Sequence, residues 1–418
     1  MRILWLCNQI LPEHADLLNR PPSVYGGWLS GLLNELRKNP ELTLGIASSF
    51  YNGRFSEKKC ENVTFYTVPC HPNQSLTPEL IQCYRKIAED FRPDVIHIHG
   101  SEYYHGLLSA LGYLTAPAVL SVQGIVTGCA AWCNGNLFQS ELPFSLKEKL
   151  LGRSLDRKRR TWEERAVIEQ KIFSGITRFC GRTAWDEAYV RRLNPDARYY
   201  HVGEILRPEF YSSECVRTRN RVVPHSIFSN FSNDPLKGGH ILLKAVGLLK
   251  SKYPDVSVTA TGSLPQTGRL KRFVLGNSYQ EYLRRCIEDN GLSGHVRFAN
   301  RLTAAEIRQA LQAHSVCVSA SFIDNSPNMI GEAQLTGCPV TASAAGGVPD
   351  MISHEKTGLL FPVGDPYLLA DRLDRLWQSE SLSDAISANA MEAASGRHNP
   401  TSIYKDQLKA YYDTVTHS

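Results

Sequence analysis

The chain has 418 residues, 42% of them apolar and 21% charged, with a formal net charge of +5. That length exceeds one ordinary core and suits two α/β domains, the composition excludes a disordered chain, and so small a charge excess gives no reason to expect nucleic acid. Eleven cysteines, among them Cys7, Cys180 and Cys317 inside apolar runs, read as reduced small hydrophobes rather than a disulfide framework.

The amino end, Met1 to Cys7, turns polar at Asn8 and Gln9, too soon for a signal-peptide core. It predicts a buried first strand. No run approaches the eighteen or more apolar residues of a spanning helix, so a cytoplasmic protein with at most peripheral membrane contact is expected. Further strands are predicted at Leu42 to Ala47, Val63 to Val68, Val95 to Ile98, Ala118 to Val122, Ile176 to Cys180 and Tyr199 to Val202. Helices fall between them. Trp28, Leu29, Leu32, Leu33 and Leu36 recur at helical spacing, as do Leu80, Tyr84, Ile87 and Phe91 behind Thr77 as N-cap and Pro78 as first helical residue.

The second half repeats the alternation, with strands near Ser226 to Ser229, Val256 to Ala260, Val296 to Ala299, Val316 to Ser319 and Pro339 to Ala342. Thr303 and Glu306 form a capping box before one of its helices. This is an α/β chain of strands joined by crossover helices. The expected division is a Rossmann-like domain over 1–203, a linker over 204–218, a second Rossmann-like domain over 219–395, and a terminal helix in 396–418 that crosses back onto the first domain. Arg153, Arg157, Lys158, Arg159 and Arg160 precede a helix with Trp162, Ala166, Ile168 and Ile172. That cluster reads either as a solvated helix start or as a patch for anionic lipid.

The segment from Asp324 to Glu332 carries the most chemistry. Ser326 suits an N-cap and Pro327 the first helical position, so backbone N–H groups near Asn328 and Met329 would point toward the sheet's carboxyl edge. A helix start there favours phosphate. Glu332, further along, is in reach of a ribose, and Asp324, on the preceding loop, can accept bonds from sugar hydroxyls beside a carbon that becomes cationic. The bland alternative is that Asp324 caps a turn and Glu332 is solvated. His97, His99, Glu102 and His105 suggest a metal only weakly, as do Cys129 and Cys133, which lack a second pair. No metal is expected. In that reading His97 and His99 alternate along their strand and His99 alone reaches the cleft edge.

The run Asp324, Glu332, Gly337, Cys338, Pro339 and Val340, with Gly346, Gly347, Val348, Pro349 and Asp350 and then Gly358 to Phe361, resembles the retaining glycosyltransferases of family 4. The resemblance implies a GT-B fold, two Rossmann-like domains facing each other across a donor-binding cleft. It covers most of the chain. The family's first acid is usually Glu, so Asp324 is shorter by one methylene. Lys237 and Gly238 match the family's Lys-Gly, where the lysine meets the donor diphosphate, while Ser229 to Ser232 stand where an arginine is common. Gly26 and Gly27 resemble the glycine pair that faces the donor. Asn325, Ser326, Asn328 and Met329 complete the implied donor site.

On the acceptor side Gln123 stands where many members carry His, so no base is available at that position; His99 and Glu102 are further candidates. The implied activity is transfer from a nucleotide diphosphate sugar to a saccharide or lipid-linked saccharide, with Asp324 and Lys237 as the catalytic groups and neither cofactor nor metal. A phosphorylase, an epimerase or a non-catalytic nucleotide-sugar sensor are the alternatives.

Overall fold

The computed structural model describes residues 1–18, 27–51, 53–70, 75–231, 233–264 and 277–417. It divides into two compact units, one of Met1–Thr127, Glu164–Arg207 and His398–Ser418, the other of Gly128–Glu163 and Pro208–Arg397.

The first unit is built on strands β1 (Arg2–Cys7), β2 (Thr43–Tyr51), β3 (Ser56–Cys60), β4 (Val63–Cys70), β5 (Val95–His99), β6 (Ala118–Ser121), β7 (Arg178–Gly181) and β8 (Arg198–His201). Their order is β3-β4-β2-β1-β5-β6-β7-β8, parallel except for β3 against β4. Side chains alternate across β1. Leu4 and Leu6 join a core with Tyr84, Ile87 and Phe91 of the helix Pro78–Phe91, while Ile3, Trp5 and Cys7 join Leu29, Leu33 and Leu36 on the opposite face, as a sheet covered on both sides requires. The terminal helix Pro400–Thr416 packs Ile403, Ala410 and Tyr411 into that second core. Thr77 caps the helix of Pro78 through the Leu80 N–H, as its spacing predicts. The edge strand β3 has no counterpart in the expectation: Ser-Glu-Lys-Lys-Cys carries no apolar alternation, and backbone pairing rather than burial holds it. Its charges suit an edge that must not recruit a partner.

The second unit carries β9 (Val223–Ser229), β10 (Ser257–Ala260), β11 (Val296–Phe298), β12 (His314–Ser319), β13 (Val340–Ser343) and β14 (Leu359–Phe361), in the order β11-β10-β9-β12-β13-β14. Every pairing is parallel. Thr303 and Glu306 form the expected capping box.

One boundary differs from the sequence reading. Residues 128–163 belong to the second unit: His240 Nε2 donates to the Gly135 carbonyl at 3.1 Å, Trp132 stacks near Phe322, and Lys158 pairs with Asp234 at 2.7 Å. None of these contacts leaves a local signal. The crossing after Arg207 does fall inside the expected linker, 204–218, but that stretch is packed rather than loose. Glu204 is buried in the first unit, while Phe210 and Cys215 are buried in the second and the Arg217 N–H donates to the Thr336 carbonyl. Among the described residues no helix is long and apolar enough to cross a membrane.

Candidate active site

In the second unit strand order reverses between β9 and β12, neighbours in the sheet. Open α/β sheets bind ligands at the carboxyl edge of such a switch point. The two loops leaving that edge carry Lys237 and Asp324. A turn Pro235–Lys237, started by Asp234 accepting the Leu236 N–H, sets the lysine. Gly238 follows at φ +66°, and a Cβ there would meet the Ala320 carbonyl oxygen at 1.9 Å, so only glycine lets this turn lie against the end of β12. The Phe322 N–H then donates to the Leu236 carbonyl, tying the loops together.

Across this junction Lys237 Nζ donates to Asp324 Oδ2 at 2.7 Å. Both groups stay in touch with solvent, at 29% and 18% exposure. Burial pulls the Lys237 pKa down, but the charge and hydrogen bond of Asp324 more than offset it, and the net shift is upward. The ammonium is therefore a fixed cation across the physiological range. The Asp324 carbonyl accepts from the Gly347 N–H at 2.9 Å, and at Gly346 (φ +54°) a Cβ would stand 2.2 Å from the same oxygen. Gly346 is thus a packing requirement of the Asp324 loop.

The helix after that loop spans Asn328–Thr336, with Pro327 as N-cap and no side chain closing its start. Here the structure departs from expectation: Ser326 is not the cap, and its hydroxyl lies 3.6 Å from Met351 Sδ. Pro327 takes the extended conformation of a capping residue, which its locked φ allows. The first-turn N–H groups of Asn328 and Met329 so lie at a helix start adjoining the Lys237–Asp324 pair. Asn325 is buried, and its N–H donates to Asp324 Oδ1. Glu332 is not a solvated residue: it is 2% exposed, one turn into a helix buried on nearly every side.

In the first unit, Gly26 lies outside the described residues. Gly27 opens the helix Gly27–Leu36, where the Arg207 side chain comes within 3.0 Å of the position a Cβ would take. His97 and His99, two residues apart, share one face of β5, since side chains alternate with period two, and their rings lie 3.8 Å apart. This corrects the expectation that the two alternate across the strand, while His99 alone lines the cavity at the carboxyl end of the sheet. Both are buried. Trp5 Nε1 donates to the Tyr411 hydroxyl, which leaves that hydroxyl to donate to His97 Nδ1 at 2.6 Å. His97 Nε2 then donates to Ser121 at 2.7 Å. Burial lowers the His97 pKa to about 3 and that of His99 well below its ordinary value.

His99 lines a cavity of about 40 Å³ at the carboxyl ends of β5, β6 and β7, together with Trp28, Gln123, Arg182 and Glu204. Neither His99 ring nitrogen has a hydrogen-bond partner among the described residues. Gln123 is held by Arg182, whose Nη2 donates to Gln123 Oε1 at 3.0 Å and to the Val122 carbonyl at 2.9 Å; the same guanidinium pairs with Glu204. Glu102 sits beside this group, accepting the Gly124 N–H at 2.8 Å. Its carboxyl pKa is raised, chiefly by burial. The structure therefore gathers His99 and Gln123 around one cavity and gives Glu102 to the adjoining loop. Sequence reasoning missed the Arg182–Glu204 pair, because Glu204 reads as the start of a linker. It also missed Glu169, which accepts from Ser101 and from the Val126 and Thr127 N–H groups; only its buried place on a charged helix could have betrayed it. Among the described residues no group of three or more His, Cys, Asp or Glu side chains is placed to hold a metal ion.

These two doubly wound parallel sheets have the GT-B fold. Sucrose-phosphate synthase from Thermosynechococcus elongatus superposes with a TM-score of 0.72 over all of both chains at 15% identity. Anabaena HepE, solved in complex with UDP, gives 0.67 over 99% of this chain and 100% of that one at 16% identity. Residues 226–379 match the model of the family described as glycosyl transferases group 1. The D-inositol 3-phosphate glycosyltransferase of Corynebacterium urealyticum is 32% identical over 183 residues, 43% of this chain and 41% of that protein. Its counterpart from Paenarthrobacter aurescens is 28% identical over 220 residues, 50% and 51% of the two. The chain thus spans about half the length, or less, of these curated relatives.

Proposed function

We propose that the protein is a retaining glycosyltransferase that takes a sugar from a nucleotide diphosphate donor without a metal ion and passes it to a saccharide or lipid-linked saccharide. The carrying observation is the Lys237–Asp324 contact at the β9/β12 switch point, inside the stretch that matches glycosyl transferases group 1. Lys237 neutralises charge on the leaving diphosphate, and the open start of the helix Asn328–Thr336 adds its N–H groups. Asp324 faces the sugar carbon as it becomes cationic, Glu332 takes the ribose hydroxyls, and Asn325 and Ser326 line the donor. The bond from the anomeric carbon to the diphosphate oxygen breaks, and the acceptor oxygen bonds that carbon on the same face. The acceptor proton leaves with the diphosphate. Positioning and preorganised charge supply the rate; Gln123, His99 and Glu102 meet the acceptor, and none of them has to act as a base.

HepE was solved with UDP, which makes uridine diphosphate the first nucleotide to try. A true donor nucleotide should raise the melting temperature by mass action, and the purified protein should transfer sugar from its conjugate with undiminished rate in chelator. Loss of transfer in chelator, restored by magnesium or manganese, would remove the metal-free mechanism. Binding with neither transfer nor donor hydrolysis would make the protein a sensor. A lipid-linked acceptor goes with a peripheral position at the inner membrane face, in which Arg153, Arg157 and Arg160 face lipid. Lys158 and Arg159 are engaged with Asp234 and Glu163.

A further inference from the structure

The segment 128–163 of the second unit sorts its apolar residues in two. Leu137, Leu142 and Leu155 are buried and anchor it. Between 138 and 151, however, Phe138 (72%), Phe144 (53%), Leu150 (78%) and Leu151 (52%) stand more than half exposed. Single exposed apolar residues need no explanation, but such a concentration marks a contact surface. The core does not require them outside, since the anchors already close it.

The charge around these side chains names the partner. From 144 to 160 seven lysines and arginines face two carboxylates, and Lys147, Lys149, Arg153, Arg157 and Arg160 are all exposed. Cations and apolar groups are interleaved rather than separate. Lys149 Nζ lies 5.8 Å over the Phe144 ring, the Arg157 side chain comes up against Gly152, and Gln139 Oε1 accepts the Leu155 N–H at 2.8 Å, closing 139–155 into one loop-and-helix unit. Apolar tips surrounded by cations satisfy an anionic lipid surface, where the tips enter the acyl boundary and the cations stay among headgroups. They suit a protein partner less well, because such interfaces keep charge away from their core.

We propose that this loop-and-helix unit is a membrane-docking element, in which Phe138, Phe144, Leu150 and Leu151 insert into an anionic leaflet. The inference rests on the lipid-linked acceptor proposed above, since docking at the leaflet brings such an acceptor to the enzyme. Flotation of the full chain with phosphatidylcholine vesicles, with and without phosphatidylglycerol, tests it. Binding should require phosphatidylglycerol, and Leu150→Ser combined with Leu151→Ser should lower the bound fraction about tenfold, with an unchanged melting temperature. Phe138→Ser, at an equally exposed site, gives a second test should the leucine pair disturb folding. Arg153→Glu with Arg157→Glu should abolish the preference for anionic vesicles. The proposal is overturned if the wild type ignores anionic vesicles, if only the charge reversals reduce binding, or if the leucine variants instead abolish a self-association of the wild type. UDP binding, followed in parallel, reports separately on the donor site. Absence of binding to UDP, GDP and ADP alike would sink the glycosyltransferase reading and leave the docking result standing.

Discussion

Lys237 and Asp324 are 87 residues apart in the chain and bonded to one another at 2.7 Å. The cation proposed for the departing diphosphate and the carboxylate proposed for the sugar are therefore bonded to each other. On those proposed roles the donor would have to redirect the ammonium toward phosphate, which would make the two residues a coupled unit.

Lys237→Ala should lower turnover by roughly a hundredfold, as removal of other preorganised charges does, with a smaller effect on donor binding. Asp324→Asn should lower turnover while affinity for the bare nucleotide diphosphate stays near parental or rises, because the lysine is released. The double variant should lose less than the product of the single losses. Strict multiplicativity in kcat/KM would show the pair to be independent, and parental turnover in Asp324→Asn would reduce it to a turn residue.

Glu332→Gln tests the ribose assignment. With the side chain 2% exposed, the isosteric amide should keep the fold and weaken donor binding by about 1.5 to 3 kcal/mol through loss of charge-assisted bonds. Titration calorimetry with an unchanged melting temperature is the measurement. Unaltered affinity would place the glutamate in a packing role.

Gly238→Ala should be costly out of proportion to one methyl group. The residue has φ +66° and its Cβ would collide with the Ala320 carbonyl, so a loss of about 2 kcal/mol or more in stability is expected, together with a displaced Lys237. Urea melts and donor affinity both read it. A neutral substitution would mean the two loops can part freely.

The buried histidines should make the fold acid-labile. Burial lowers His97, His105 and His240 to about 3 and His14 to about 4. The unfolded chain takes up protons below the ordinary value of 6.5 that the folded chain refuses. Stability is therefore complete above that value and falls as the pH drops through the window toward 3, by up to ~1.4 kcal/mol per histidine per pH unit. Urea midpoints at about pH 7.5 and about pH 5 should differ clearly; equal midpoints would mean these rings are reached by solvent.

Local signals carried far and then stopped. The first strand, expected within Met1 to Cys7 and found at Arg2–Cys7, was legible because a strand covered on both faces is apolar throughout. The cap at Thr77 was legible because hydroxyl and proline stand side by side in sequence. The charged edge strand Ser56–Cys60 was not, for its stability comes from pairing with Val63–Cys70. In the candidate site Lys237, Asp324 and Glu332 each stand out by motif, but the contact between Lys237 and Asp324 depends on which strands become neighbours. Pro327 displaced Ser326 as the cap for a similar reason: the glycine-backed loop fixes the backbone before the helix begins. Tyr411, whose hydroxyl fixes the tautomer of His97 from 314 residues away, could not be read from any window of sequence.

That last contact bears on the order in which the chain can take shape as it is made. The second unit has all of its residues once position 397 has been synthesised, whereas the first also needs His398–Ser418. Trp5 and His97, among the early products of translation, wait for Tyr411 to satisfy their ring nitrogens. On the ribosome the second unit should therefore settle first, and the sheet of the first should stay open to chaperones and proteases until the helix Pro400–Thr416 has cleared the exit tunnel.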